Sequence, residues 1–327
     1  MVIGHSSCPI YMWDFAYLFH KMPLFFFLAG YCFKEEYLLK PKDFILRRFS
    51  KLWAPFVVIT MLFLLFHNLF VKLYLIEEKL YSFQEFFEQF NSILFHLHNE
   101  EALIGGFWFV PQLLFASLIS FMCLKFCNKY VALMLCFLFA SLKYYVHLHI
   151  PYVSWVSFYA ASFFIIGHIF AKNNFKITNN LGGLLISITI VVMFSKLMPG
   201  GIFVKQGWML LPYLVVAIFG CVLTLNISNL VVRCETFIVN FLVYIGSKTM
   251  WVLTLHILAF KLITLLIIYI NGDPITNLRV TPVYSEYSQN GGWIIYSIFG
   301  VLVPIFVSLV VKYINVKVHN RNKVINC

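Results

Sequence analysis

Five histidines lie in or beside long apolar runs of this 327-residue chain: His5, His20, His67, His168 and His256. Imidazole titrates near neutrality and can take a proton from a hydroxyl group, so a histidine held among apolar residues is a candidate general base. His67 and His168 sit near the ends of their runs, where a side chain is expected to reach water. His256 lies deeper and needs a partner inside the protein, and Lys261, five residues on, points from another face of the same helix. The 13 acidic residues, from Asp14 to Glu286, all fall outside the runs. Ion-coupled transport generally relies on a carboxylate at mid-membrane, so this distribution disfavours it. A second cluster, Arg47, Arg48 and Lys51, stands where a basic segment meets the next apolar run. Such residues either pair with phosphates or serve only to orient the chain.

These groups must be positioned by elements that live in lipid. Of the chain 61% is apolar, 19% aromatic and only 11% charged, with a mean hydropathy of +0.87. Soluble domains carry about 25% charged residues, so a soluble globular protein is excluded. The net charge of +11 is dispersed and forms no basic tract, which argues against a nucleic-acid partner. Eight scattered cysteines form no Cys-x-x-Cys pair and no His/Cys cluster at zinc spacing, so neither a disulfide scaffold nor a metal is expected.

A crossing needs about 20 helical residues. Runs of that order read at roughly 15–33, 52–71, 107–124, 130–146, 154–171, 181–198, 207–228, 249–270 and 293–311. The expectation is an all-α, polytopic membrane helix bundle of about nine spans, one membrane domain filling residues 1–327; a barrel would show short alternating strands. Residues 1–5 read as the second half of a tenth helix whose first half lies upstream. Two long loops separate spans. Residues 72–106 carry Phe83, Phe86, Phe87, Phe90 and Leu94 at helical spacing, the pattern of an interfacial amphipathic helix, and residues 271–292 are polar and turn-rich.

Basic residues alternate from side to side. One side collects Lys34, Lys40, Lys42, Arg47, Arg48, Lys51, Lys125, Lys129, Lys172, Lys176, Arg233, Lys248, Lys312, Lys317, Arg321 and Lys323, against six on the other. The positive-inside rule makes the first side, with the C-terminus, cytoplasmic, in an inner or plasma membrane.

The motifs themselves resemble a family. Phe19-His20-Lys21-Met22-Pro23-Leu24-Phe25-Phe26-Phe27-Leu28-Ala29-Gly30 resembles the phenylalanine-rich signature of the acyltransferase family 3 integral membrane proteins, with Lys21 intruding and Ala29 in place of serine. The resemblance continues through Arg47-Arg48 to Pro55, Phe107-Trp108-Phe109, Ile245-Gly246-Ser247-Lys248-Thr249 and Leu255-His256, and Gly4-His5-Ser6 matches the end of the family's first helix. It implies a membrane O-acyltransferase that moves an acetyl group from acetyl-coenzyme A to a hydroxyl of an exported carbohydrate or glycolipid, with no metal. His5 would be the base, Asp14 either its orienting partner or an exposed carboxylate, and His256 a second catalytic histidine. Arg47, Arg48 and Lys51 would hold the phosphates of the donor, and His20 and Trp108 would touch the substrate. Alternatives are a glycan or lipid flippase and a non-catalytic scaffold of the same fold; no signal specifies an oligomeric state.

The orientation is open to direct test. In a Cys-free background, cysteines replacing Glu88 and Asn277 should react with an impermeant thiol reagent in intact cells and one replacing His319 should not; labelling at 319 reverses the orientation.

Overall fold

The computed structural model describes residues 2–8, 21–146, 153–173, 181–197, 202–204, 206–233, 236–280 and 282–325. All nine apolar runs are helical where they are described, and no strand occurs among the described residues. Chain order gives α1 (Val2–His5), α2 (Lys21–Tyr31), α3 (Glu36–Leu39), α4 (Pro41–Arg48), α5 (Ala54–Lys72) and α6 (Phe83–Asn91). Then come α7 (Phe109–Phe126), α8 (Lys129–Leu142), α9 (Trp155–Lys172), α10 (Leu181–Leu197) and α11 (Leu210–Val231). The chain closes with α12 (Thr236–Ser247), α13 (Thr249–Asn271), α14 (Ser285–Tyr287) and α15 (Trp293–Ile325).

Among the described residues six stretches are long and apolar enough to cross a bilayer: Pro41–Lys72, Ala102–Phe126, Trp155–Lys172, Gly207–Val231, Thr249–Asn271 and Ser285–Lys317. Helix α12 was not anticipated. Its 12 residues reach only about 18 Å, too short for a reading tuned to full spans.

Helix α9 is the hub. It packs on α2, α7 and α8, and every residue from Ile165 to Ile169, like the stretch Val156–Ser157 and Tyr159–Phe164, is buried. A helix buried all round belongs to an interior. Its contact with α2 is backbone on backbone. A Cβ on Gly30 would fall 1.7 Å from the Phe164 carbonyl oxygen, and one on Gly167 would fall 2.0 Å from that of Phe27. Lipid tails are as apolar as leucine, so close approach through small residues is what holds membrane helices together. This explains why glycine ends the phenylalanine-rich run.

Between α4 and α5 the helix widens into a π turn, Phe49–Trp53, where the Ala54 N–H reaches back five residues to Phe49. Pro55 is the cause: it has no N–H to give Lys51, and its ring would clash with that carbonyl. The turn lies directly after Arg47 and Arg48.

Contacts between loops sort the bundle into two ends. At the basic end Lys129 Nζ donates to Asn173 Oδ1 at 2.7 Å, and Lys172 pairs with Glu35. That ammonium holds the Glu35 carboxyl below the usual carboxylate range. At the opposite end the Arg279 guanidinium covers the Tyr74 ring at 4.6 Å, and Trp108 meets Phe203 at 4.7 Å. The expected amphipathic helix is α6, started by a capping box of Ser82 and Glu85.

Two histidine expectations are corrected. His168 is only 5% exposed, with Nε2 3.6 Å from Glu35 Oε1. His67 is 1% exposed: its Nδ1 lies 3.0 and 3.2 Å from the two Glu101 oxygens, its Nε2 3.0 Å from the Lys79 carbonyl, and Tyr81 stacks on it at 3.6 Å. Neither reaches water by snorkelling, because each meets acidic partners that fold back over the helix end. The ring is thus held between a buried carboxyl group and a backbone carbonyl. Glu78 approaches the same ring to 3.7 Å; burial, then the charge of Glu101, pushes its carboxyl up.

Breaking a buried ion pair from one side leaves an uncompensated charge and costs about 3 to 5 kcal/mol. Glu101→Gln should therefore lower the opening free energy of segment 73–82, read by amide hydrogen exchange, by an amount of that order. Glu85→Gln, which breaks the exposed pair with Lys79, should leave exchange in the same segment unchanged.

Candidate active site

Among the described residues α1 runs from Val2 to His5. It packs between α13 and α15. Gly300 on α15 makes the space: a Cβ there would stand 2.4 Å from Phe260 Cε1 and 2.7 Å from Val2 Cγ1. Ser6, fully buried, donates to the Ile3 carbonyl at 2.8 Å and shares a hydrogen bond with Ser297 Oγ at 3.1 Å, while Ser288 donates to the Ser6 carbonyl. The chain leaves this seat through Ser7 in the left-handed region (φ +52°), a conformation that a side chain enters only when its surroundings fix it.

The seat brings His5 to His256. Their ring centroids are 5.2 Å apart, tilted at 54°. His5 is half-buried and His256 fully buried. His256 Nδ1 lies 2.9 Å from the Val252 carbonyl and 3.0 Å from that of Leu253. Both are acceptors, so Nδ1 carries the proton and in the neutral ring the lone pair sits on Nε2. Phe260 stands edge-on to the other side of the ring at 5.7 Å, fixing its plane. His256 follows Lys248 by eight residues, which sets it about 12 Å along α13 from that end. A half-buried and a buried imidazole in contact can take and hold a proton away from bulk water.

Above the pair, Lys261 donates to the carbonyls of Leu278 at 2.8 Å and Val280 at 2.7 Å. It thus ties the 271–292 loop, which carries Ser288, down onto α13. The segment Ala102–Trp108 packs on α13 as well.

At the basic end Arg47, Arg48 and Lys51 line one pocket of about 290 Å³ with Lys34, Tyr37 and Phe44. Arg47 donates to Tyr37 Oη at 2.6 Å, and the Arg48 guanidinium lies over the Phe44 ring at 5.0 Å. Phe44 in turn stacks on Phe121 at 4.7 Å, so the arginines rest on a rigid aromatic shelf. The arrangement suits a phosphate-bearing ligand.

Of the residues singled out from sequence, His5 and His256 come together, and Arg47, Arg48 and Lys51 come together. Asp14 and His20 lie outside the described residues. Trp108 closes the segment that packs on α13 and turns its ring to Phe203. Ser297, Gly300 and Ser288 were missed, although small residues three apart on α15 are a recognisable helix-contact pattern. His67, Glu78 and Glu101 have the composition of a metal site, with one ligand atom from each within 4.8 Å of the others. The His67 ring nitrogens also lie within hydrogen-bond distance of Glu101 and of the Lys79 carbonyl.

An all-α bundle of apolar helices, holding a histidine pair and carrying an arginine pocket at one end, defines a multi-pass membrane protein. Residues 1–313 match the family model described as acyltransferase domain (Acyl_transf_3), and the chain belongs to that acyltransferase family. No curated protein and no solved structure matches it.

The seat itself can be tested by cross-linking. In a Cys-free background Ser6→Cys with Ser297→Cys should form a disulfide under mild oxidation, whereas Ser6→Cys with Ser308→Cys, three helical turns away, should not.

Proposed function

We propose that this acyltransferase moves an acetyl group from acetyl-coenzyme A to a hydroxyl of an exported or cell-surface carbohydrate, with the basic end of the bundle in the cytoplasm. The observation that carries the reading is the contact between His5 and His256 inside a chain of an acyltransferase family. Coenzyme A is a cytoplasmic polyanion. The pocket of Arg47, Arg48, Lys51 and Lys34 supports its entry at the basic end, where the guanidinium fork suits phosphate better than ammonium does.

In this reading an imidazole nitrogen of His5 removes the proton of the acceptor hydroxyl as its oxygen attacks the thioester carbon. The tetrahedral adduct collapses to the acetyl ester, the carbon–sulfur bond breaks, and the thiolate takes up the proton. His256, its Nδ1 proton turned to its own helix, offers Nε2 to orient or relay that proton. Because His256 is fully buried and His5 half-buried, access of water to the thioester is restricted, which limits its hydrolysis.

An acceptor site is supported at the opposite end. A cavity of about 530 Å³ there is lined by Gln112, Ser154, Trp155, Lys143 and His96 among others. Gln112 Oε1 accepts from Ser154 at 2.9 Å and Ser157 at 2.6 Å, so its amide donors are ordered. Ordered amides and hydroxyls beside aromatic faces are what sugars bind.

The test uses the full chain in nanodiscs with radiolabelled acetyl-coenzyme A and surface glycan from a deletion strain. His5→Ala should lower transfer by about 10² to 10⁴ while donor affinity holds, and the pair Arg47→Ala, Arg48→Ala should weaken donor binding while the insertion of the protein holds. Wild-type transfer by His5→Ala rejects the base assignment, and unchanged donor affinity in the arginine pair rejects the donor pocket.

A further inference from the structure

A second basic recess lies at the same end as the arginine pocket but on another face of the bundle. Lys248 and Trp251 at the start of α13 face Ser308, Lys312 and Asn315 of α15 across a groove of about 440 Å³. The α15 residues follow helical spacing, so they form one continuous wall. Among the described residues that line the groove there is no carboxylate, and two ammonium groups therefore share it with no counter-charge. Lys248 gives the start of α13 no side-chain cap, which adds the positive end of a helix dipole.

Ser308 is the second and independent sign of a ligand. Its side chain is only 3% exposed, yet its Oγ has no hydrogen-bond partner among the described residues. A helical serine ordinarily bonds back to the carbonyl four residues earlier, and a buried hydroxyl left unmatched is costly. Ser308 is one of the residues that line the groove.

The surroundings select among anions. The two lysines share the groove with Trp251, Val311 and Val316, and Val316 is itself 51% exposed. Charge in the recess is thus accompanied by apolar surface. A ligand that satisfies both has a phosphate at one end and hydrocarbon at the other, and tryptophan and lysine at such a depth are the residues that meet a headgroup.

We propose that this groove holds the headgroup of an anionic phospholipid, with its phosphate in reach of Lys248, Lys312 and Ser308 and its chains starting against Trp251 and Val311. The site is separate from the proposed donor pocket and does not depend on the reaction. By bridging α13 and α15 at the end nearest His256, the lipid braces the two helices that hold the His5 turn.

The experiment titrates the purified full chain, in neutral detergent, with phosphatidylglycerol, phosphatidylcholine or coenzyme A, and counts bound molecules by native mass spectrometry. Phosphatidylglycerol should bind the wild type and phosphatidylcholine should not. Each basic residue near a membrane surface is worth about fivefold, so Lys248→Gln with Lys312→Gln should lower that affinity roughly 30-fold. Lys42→Gln with Lys125→Gln, which removes the same charge elsewhere on the basic end, should leave it intact. Ser308→Ala, too small a change to unfold the bundle, should also weaken it. Equal binding of the two lipids, or wild-type affinity in both groove variants, overturns the proposal. Coenzyme A displacing phosphatidylglycerol from this site also overturns it, because the occupant would then be the donor.

Discussion

Hydrocarbon offers no hydrogen bonds, so every polar group that enters the bundle must find its partner within the protein. That constraint explains the otherwise unrelated polar features of this chain. Lys261 is buried because two loop carbonyls come down to meet it, and His67 is buried because Glu101 and the Lys79 carbonyl close over it. Ser6 is buried between Ser297 and Ser288. In each case a loop segment is drawn onto a helix by the side chain that needs a partner, and the partnership fixes the loop.

The candidate site inherits its rigidity from these attachments. Lys261 anchors the 275–280 segment, the same loop supplies Ser288, and Ser288 holds the carbonyl of the residue that follows His5. Gly300 lets α15 approach closely enough for Val2 and Phe260 to fill the remaining space. Through these contacts the position of His5 is set by α13 and α15. His256, bonded to its own helix through Nδ1, is the fixed member of the pair, and His5 is the member brought to it.

Much of this was legible in the sequence and some was not, for physical reasons. Spans of about 20 apolar residues announce themselves, which is why α5, α7, α9, α11 and α13 were found within a few residues; α15 begins at the expected residue and runs on through its polar end to Ile325. The amphipathic spacing of Phe83, Phe86, Phe87 and Phe90 likewise gave α6. Helix α12 is too short for such a pattern. Burial of His67 and His168 was misjudged because depth along a helix reports nothing about a loop that folds back, and Glu101 and Glu35 arrive from 34 and 133 residues away in sequence. Arg47, Arg48 and Lys51 were legible as a cluster since they lie about one helical turn apart, whereas Lys34 and Tyr37, which join them in the pocket, come from an earlier segment. The pairing of His5 with His256, 251 residues apart, is a tertiary fact that no local spacing encodes.

The central claim is that acyl transfer occurs where His5 meets His256. The most direct measurement is a structure of the full chain in lipid with a non-transferable thioether analogue of acetyl-coenzyme A. The account predicts the analogue's phosphates in the pocket of Arg47, Arg48 and Lys51, and its acyl carbon within contact of His5, on the side turned to His256. An acyl carbon lying elsewhere, with the two imidazoles packed against each other and closed to the ligand, would contradict it.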